Sequence, residues 1–309
     1  MKVVVIGLGV QGNKRAVVAG KEVVATVDPV ARKARYRSIQ KVRPDSFDTA
    51  FVCTPDSAKL KLIRYLLAHG KNVLAEKPLL ARESRQLAGL RHFAKASGRV
   101  CYTAYNHRFE PNLIRLKQFL DRKAIGRVYY ANFFYGNGTA RDVRNSSWRD
   151  RGAGVLPDLG SHLLDMVLFL FGKGNSSFEM LHVKNYENRT PDHVLFASKQ
   201  TPRLRLEATL LSWKNTFTID VVGERGSLHM NGLCKWGKST LTFRRRTLPS
   251  GRPKETVFTV PAGDPTWKRE HAYFKRLCRQ GGTNLENDIW INGILQHLAS
   301  PAGRKAGAR

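Results

Sequence analysis

The first third of the chain alternates continuous apolar runs with amphipathic stretches. Residues 2–6 (KVVVI), EVVATVD ending at Asp28, 48–55 ending in VCTP, KNVLA before Glu76 and RVCYTAY (99–105) read as strands buried on both faces, because their apolar residues do not alternate with polar ones. Helical periodicity fills the gaps at 13–20, 57–70 and 82–98. Strands alternating with such helices predict an α/β unit, a parallel sheet with helices on both faces. The stretch from Asp28 to the third strand is short for a crossover holding an extra strand, so this unit is expected to be trimmed. Beyond Tyr105 the pattern changes. A helix follows NHRFEP, and then GRVYYANFFYGNG (126–138) and seven period-two segments between 177 and 263 predict an α+β domain with a large, mostly antiparallel sheet. Helices at 267–280 and 284–299 close the pattern. The expected division is 1–105, 106–300 and a basic tail, 301–309, predicted disordered.

At the end of the first strand stands Gly7-Leu8-Gly9-Val10-Gln11-Gly12, opening into a helix. Glycines there permit a tight turn and close backbone approach, and a helix N-terminus offers unpaired N–H groups to a pyrophosphate. Asp28 falls about 20 residues later, where a carboxylate accepts from the adenosine ribose and repels a 2′-phosphate. This is the context of a Rossmann-type dinucleotide site, and it points to NAD. Arg32, Lys33, Arg35 and Arg37 follow closely and offer a rival phosphate site. Ligands of open parallel sheets lie outside the carboxyl ends of the strands. Gly7, Asp28, Thr54 with Pro55, and Glu76 with Lys77 all fall there.

A chain of 309 residues is long for one core and favours two domains. With 42% apolar and 25% charged residues it has the composition of a soluble globular protein, and no apolar run approaches the roughly 18 to 20 residues that span a bilayer. MKVVVIGLG ends at glycines rather than at a small-residue cleavage site, so it reads as a buried strand and a cytoplasmic location is expected. Cys53, Cys101, Cys234 and Cys278 are scattered, without metal-ligand spacing, and no metal site is expected. The formal net charge of +29 is the outlier. It can be a solvated surface, or a field that draws in anionic ligands. A nucleic-acid partner is not expected, since no finger, recognition-helix or ribonucleoprotein motif accompanies the charge.

GAGVLPDLGSHLLD (152–165) puts Asp158 and His162 four residues apart as the chain turns helical, a spacing that brings both to one face. A carboxylate beside an imidazole can handle protons. Equally, Asp can cap a helix and His can sit satisfied in a core; on this motif alone the structural reading is the stronger. Lys77, at a strand end before Pro78, is either a surface lysine in a turn or an ammonium placed to favour a substrate alkoxide; its position tilts toward the second. Asn106 and Arg108 can hold substrate or cofactor groups, or simply cap and pair. Asp165 is expected to stabilise local structure.

Together GLGVQG, VCTP at 52–55, AEKP at 75–78, YNHRFEP at 105–111 and GAGVLPDLGSHLLD resemble the glucose-fructose oxidoreductase/inositol dehydrogenase (Gfo/Idh/MocA) superfamily. The resemblance implies an NAD(P)-dependent oxidoreductase acting on CH–OH groups, with Lys77, Asp158 and His162 as the active site. The compact nucleotide unit and YNHRFEP most resemble enzymes that oxidise the 3″-hydroxyl of UDP-N-acetylglucosamine or its uronic acid. That implies a UDP-sugar substrate, a downstream aminotransferase and a homodimer or homotetramer. An inositol, aldose or polyol dehydrogenase and a non-catalytic NAD-dependent sensor are the alternatives. Two departures stand out: TPDSAK places Lys59 where many members have His, and the loop after Asp28 is short.

Overall fold

The computed structural model describes residues 1–146 and 149–301; the predicted tail therefore lies, from residue 302, outside the described residues. The chain divides into two compact units. The first comprises Met1–Asn106 with Thr266–Asn292, the second His107–Pro265 with the residues from Gly293 onward.

In the first unit β1 (Val3–Ile6), α1 (Val10–Ala19), β2 (Val23–Val27), β3 (Thr49–Val52), α2 (Asp56–Ala68), β4 (Asn72–Glu76), α3 (Ser84–Ala96) and β5 (Cys101–Ala104) follow the expected order. The five strands pair in parallel in the order β2-β1-β3-β4-β5. Alternate strand residues feed two cores. Val4, Ile6, Ala50 and Val52 pack with Ile63, Leu66, Leu87 and Leu90 of α2 and α3. Val3, Val5, Phe51 and Leu74 face the other way. Burial on both faces is why these strands read as unbroken apolar runs. Residues 28–48 hold two short 3-10 turns, Ile39–Lys41 and Pro44–Ser46, in place of a crossover helix.

In the second unit α4 (Pro111–Asp121) precedes β6 (Val128–Gly136), α5 (Ala140–Arg144) and α6 (Ser161–Phe171). Then come β7 (Phe178–Lys184), β8 (His193–Ser198), β9 (Arg203–Thr209), β10 (Thr216–Gly223), β11 (Gly226–Asn231), β12 (Ser239–Thr247) and β13 (Gly251–Val260). They form one eight-stranded sheet ordered β13-β12-β11-β10-β6-β9-β8-β7, antiparallel except for the β6–β9 pair. β10 shows strict alternation, with Phe217, Ile219 and Val221 fully buried between partly exposed neighbours.

One boundary differs from the sequence expectation, which assigned residues 106–300 to the second domain. The helix α7 (Thr266–Gln280) and α8 (Leu285–Ala299) as far as Asn292 belong to the first unit. Phe274, Tyr273 and Leu277 of α7 pack on the core holding Val3, Phe51 and Tyr102, and Leu285 and Ile289 of α8 pack on the opposite core. These helices cover apolar sheet surface that α1, α2 and α3 leave open.

Candidate functional site

The glycine turn of the first unit is built as its spacing requires. Gly7 has φ +91°, and a Cβ there would lie 2.5 Å from the Cys53 carbonyl oxygen; a Cβ on Gly12 would lie 1.8 Å from the Gly7 oxygen. Both positions therefore exclude a side chain. A Cβ on Gly9, by contrast, meets nothing within 4 Å. Beside it Val10 is 72% exposed and Gln11 is exposed, so the N-terminus of α1 faces open space. Asp28 is locked onto this turn: its Oδ2 accepts from Leu8 N at 2.7 Å, and its Oδ1 from Val30 N at 2.9 Å and Ala31 N at 2.8 Å. Partial burial pushes the carboxyl up, but the N–H groups of Ala31, Leu8 and Val30 outweigh it and hold Asp28 below the usual carboxylate range. A carboxylate has about four acceptor positions, so ribose hydroxyls can still be accommodated. Two of the four rival phosphate ligands turn to backbone oxygens: Arg37 donates to the Ala31 oxygen at 2.8 Å, and Arg35 to the Val24 oxygen at 3.5 Å. At the end of β3 the Thr54 Oγ1 is buried and meets no hydrogen-bond partner among the described residues. An open glycine surface, an oriented carboxylate and an orphaned hydroxyl at successive strand ends fit a dinucleotide.

Lys77 follows β4 and is half-buried. Its neighbours are braced from both sides. Lys59, only 3% exposed, donates to Asp56 Oδ1 at 2.7 Å and to the Pro78 oxygen at 2.9 Å, tying the Lys77-Pro78 turn to the start of α2. The unexpected lysine in TPDSAK is thus a strut. Glu76 is buried, and its Oε1 accepts from Arg15 Nε at 2.6 Å, while Arg15 Nη2 donates to Glu270 at 2.7 Å. Glu76 therefore serves a buried ion-pair network. Asn106 likewise donates to Thr266 Oγ1 at 2.8 Å inside the first unit.

The second unit presents the other expected residues. Asp158 lies in a π-helical turn, Leu156–Gly160, that runs directly into α6, and such turns recur at functional sites. Its Oδ2 is 3.5 Å from Arg149 Nη2. His162, 6% exposed, stacks on His107 with ring centroids 4.1 Å apart. Tyr135 of β6 lies 5.8 Å from the His162 ring and 5.6 Å from that of His107. Burial pushes the Tyr135 phenol far up, and the charge of Asp158 adds to it. Arg108 makes a two-pronged contact with Asp165, at 2.8 and 2.6 Å, which gives Asp165 the expected structural role and spends the Arg108 guanidinium on it. His107 and Tyr135 pack on His162, and behind them Lys235 contacts His107 while Trp236 packs on Tyr135. Sequence reasoning passed over them because they come from a strand and two turns far apart in the chain, with no shared periodicity.

A parallel dinucleotide-binding sheet, followed in the chain by an α+β unit carrying a buried imidazole, defines a class, the pyridine-nucleotide oxidoreductases. Residues 1–105 match the oxidoreductase family with an NAD-binding Rossmann fold, and residues 113–229 match the GFO/IDH/MocA C-terminal domain. The chain belongs to the Gfo/Idh/MocA oxidoreductase family, and its first domain is an NAD-binding Rossmann domain. It is 27% identical over 247 residues to the uncharacterized oxidoreductase YdgJ of Escherichia coli, covering 72% of this chain and 69% of that protein. It is 28% identical over 189 residues to a scyllo-inositol 2-dehydrogenase (NAD(+)) of Bacillus subtilis, covering 54% of this chain and 53% of that one. Several other curated relatives are matched over as little as 32% of their length. Levoglucosan dehydrogenase in complex with NADH shares the fold, with a TM-score of 0.83 at 18% identity over 99% of this chain and 96% of that chain. No helix among the described residues is long and apolar enough to cross a membrane.

Proposed function

We propose that this protein oxidises a secondary hydroxyl of a sugar or polyol with NAD. The observation that carries this reading is His162, a buried imidazole walled by His107 and Tyr135, in a chain whose first 105 residues are an NAD-binding Rossmann domain. The backbone of Gly9–Gln11, the Asp28 carboxylate and Thr54 would hold NAD, which supplies the hydride acceptor when bound. His162 takes the hydroxyl proton as the general base, since an imidazole in its neutral form has a free ring nitrogen to receive it. The Lys77 ammonium hydrogen-bonds the developing alkoxide and lowers the cost of its charge. Asp158, half-exposed and held by Arg149, orients the imidazole or accepts from a neighbouring substrate hydroxyl.

Relatives described as inositol and levoglucosan dehydrogenases favour free sugars and polyols over the UDP-N-acetylglucosamine suggested by YNHRFEP. The excess positive charge keeps the sugar nucleotide as the second reading. The deciding assay follows NADH formation with inositols, levoglucosan, aldoses and UDP-N-acetylglucosamine in parallel. Turnover confined to free polyols and sugars supports the first reading, and turnover confined to the UDP-sugar replaces it. NAD binding with no reduction by any of them favours the non-catalytic NAD-dependent sensor instead.

A further inference from the structure

The imidazole of His162 is one end of a longer arrangement inside the second unit. Its ring and that of His107 are tilted by only 31° at 4.1 Å, and the His107 Nε2 in turn lies 3.0 Å from Lys235 Nζ. A lysine ammonium has donors and no lone pair, so Lys235 donates here and His107 accepts; the one proton of a neutral His107 ring then sits on Nδ1. Lys235 lies 4.4 Å from the Trp236 ring centre and 5.9 Å from that of Tyr135. Two aromatic faces thus help hold the cation in place.

Both partners of this contact are anchored to the same residue, Glu110, one through its backbone and the other through its carboxylate. Glu110 N donates to the His107 oxygen at 3.0 Å, closing the turn Asn106–Phe109. The Glu110 Oε2 accepts from Cys234 N at 3.3 Å and from Cys234 Sγ at 2.9 Å, which fixes the short turn Cys234–Trp236 that carries Lys235. Glu110, 1% exposed, therefore clamps the His107 turn to the Lys235 turn.

We propose that Lys235 and His107 are positioning residues that hold His162 as a neutral, oriented base. This rests on the reading of His162 as the group that takes the substrate proton. Lys235 keeps His107 neutral in a fixed tautomer, and the stacked His107 ring sets the plane of His162. The positive charge of Lys235 at the edge of the His107 ring disfavours a second charge on the His162 ring stacked against it. Among the described residues Tyr135 from β6 also packs on His162, its phenol kept neutral by burial, and Asp158, four residues earlier in the π-helical turn, carries a charge that acts in the opposite sense and lies 3.5 Å from Arg149.

Long-range 1H–15N spectra of the histidine rings in the full chain test this without any substrate. They give the tautomer of His107 and the titration midpoint of His162, with His107→Phe and His162→Asn supplying the assignments. In the wild type His107 carries its proton on Nδ1. In Lys235→Gln, which keeps a hydrogen-bond donor but loses the charge, the His162 midpoint rises by about one pH unit, while Lys235→Arg leaves it in place. A His107 proton on Nε2, or a His162 midpoint unmoved in Lys235→Gln, overturns the proposal. Should Lys235→Gln fail to fold, the wild-type tautomer and the Lys235→Arg midpoint still decide it. The reading of His162 as base fails separately, if His162→Asn turns over levoglucosan or scyllo-inositol at the wild-type rate while the spectra behave as described.

Discussion

Three glycines in one turn have three different fates. Gly7 and Gly12 are required by the fold, because a Cβ at either would overlap a backbone carbonyl. Gly9 has φ −68° and an open surface, so the folded chain tolerates a methyl group there. Gly9→Ala is accordingly expected to keep the wild-type melting temperature and to weaken NAD binding at least about tenfold, or ~1.4 kcal/mol, measured by calorimetric titration. Gly12→Ala is expected to lose soluble folded protein, since backbone must move. Equal NAD affinity in Gly9→Ala would show that the dinucleotide does not approach that surface. The glycines, Asp28, Lys77 and His162 were legible in the sequence because local spacing and strand ends announce them. Lys235 was not. A lysine in the short CKW turn looks like any solvated charge until the fold lays it on His107. The same holds for Glu76, whose strand-end position suggested a ligand contact and whose actual partner, Arg15, lies 61 residues away.

Among the elements, α7 couples most tightly to the nucleotide fold. Arg15 of α1 bridges Glu76 of β4 and Glu270 of α7, all three buried, and Tyr102 of β5 donates to Glu270 at 3.2 Å. Two carboxylates share one guanidinium, so removing the cation with Arg15→Met is expected to cost ~3–5 kcal/mol in urea unfolding. Burial first, with the charge of Glu76 adding to it and Arg15 opposing it, leaves Glu270 pushed up to about 7. Its folded pKa lies above the ordinary 4.5, so the folded state holds the proton more tightly than the unfolded one. Stability linked to Glu270 is then complete below about 4.5 and is lost as the pH rises to about 7. Glu270→Gln is expected to lose less stability than wild type between about pH 5 and 8 in thermal melts, and an identical pH slope would contradict the assignment. The return of α7 to the first unit escaped sequence reading because an amphipathic helix advertises a buried face without naming what it covers. The eight strands of the second sheet were visible as elements from their alternation; their order, including the parallel β6–β9 pair, depends on long-range pairing that no local pattern encodes.

For the whole molecule, the +29 charge is the property that neither fold nor family requires. A field of this size speeds the approach of an anionic cofactor and fades with salt, so the association rate of NADH is expected to fall as ionic strength rises from about 0.01 to 0.15 M while the catalytic step stays unchanged; stopped-flow fluorescence reads both. Lys77 and His162 are the residues proposed to handle the substrate hydroxyl. The most direct test measures NADH formation from the best sugar or polyol substrate by wild type, Lys77→Ala and His162→Ala, with NAD affinity determined for each. Both variants are predicted to bind NAD as the wild type does and to turn over at least about a hundredfold more slowly, the scale of a lost acid–base group. Wild-type turnover in either variant would contradict the role given to that residue.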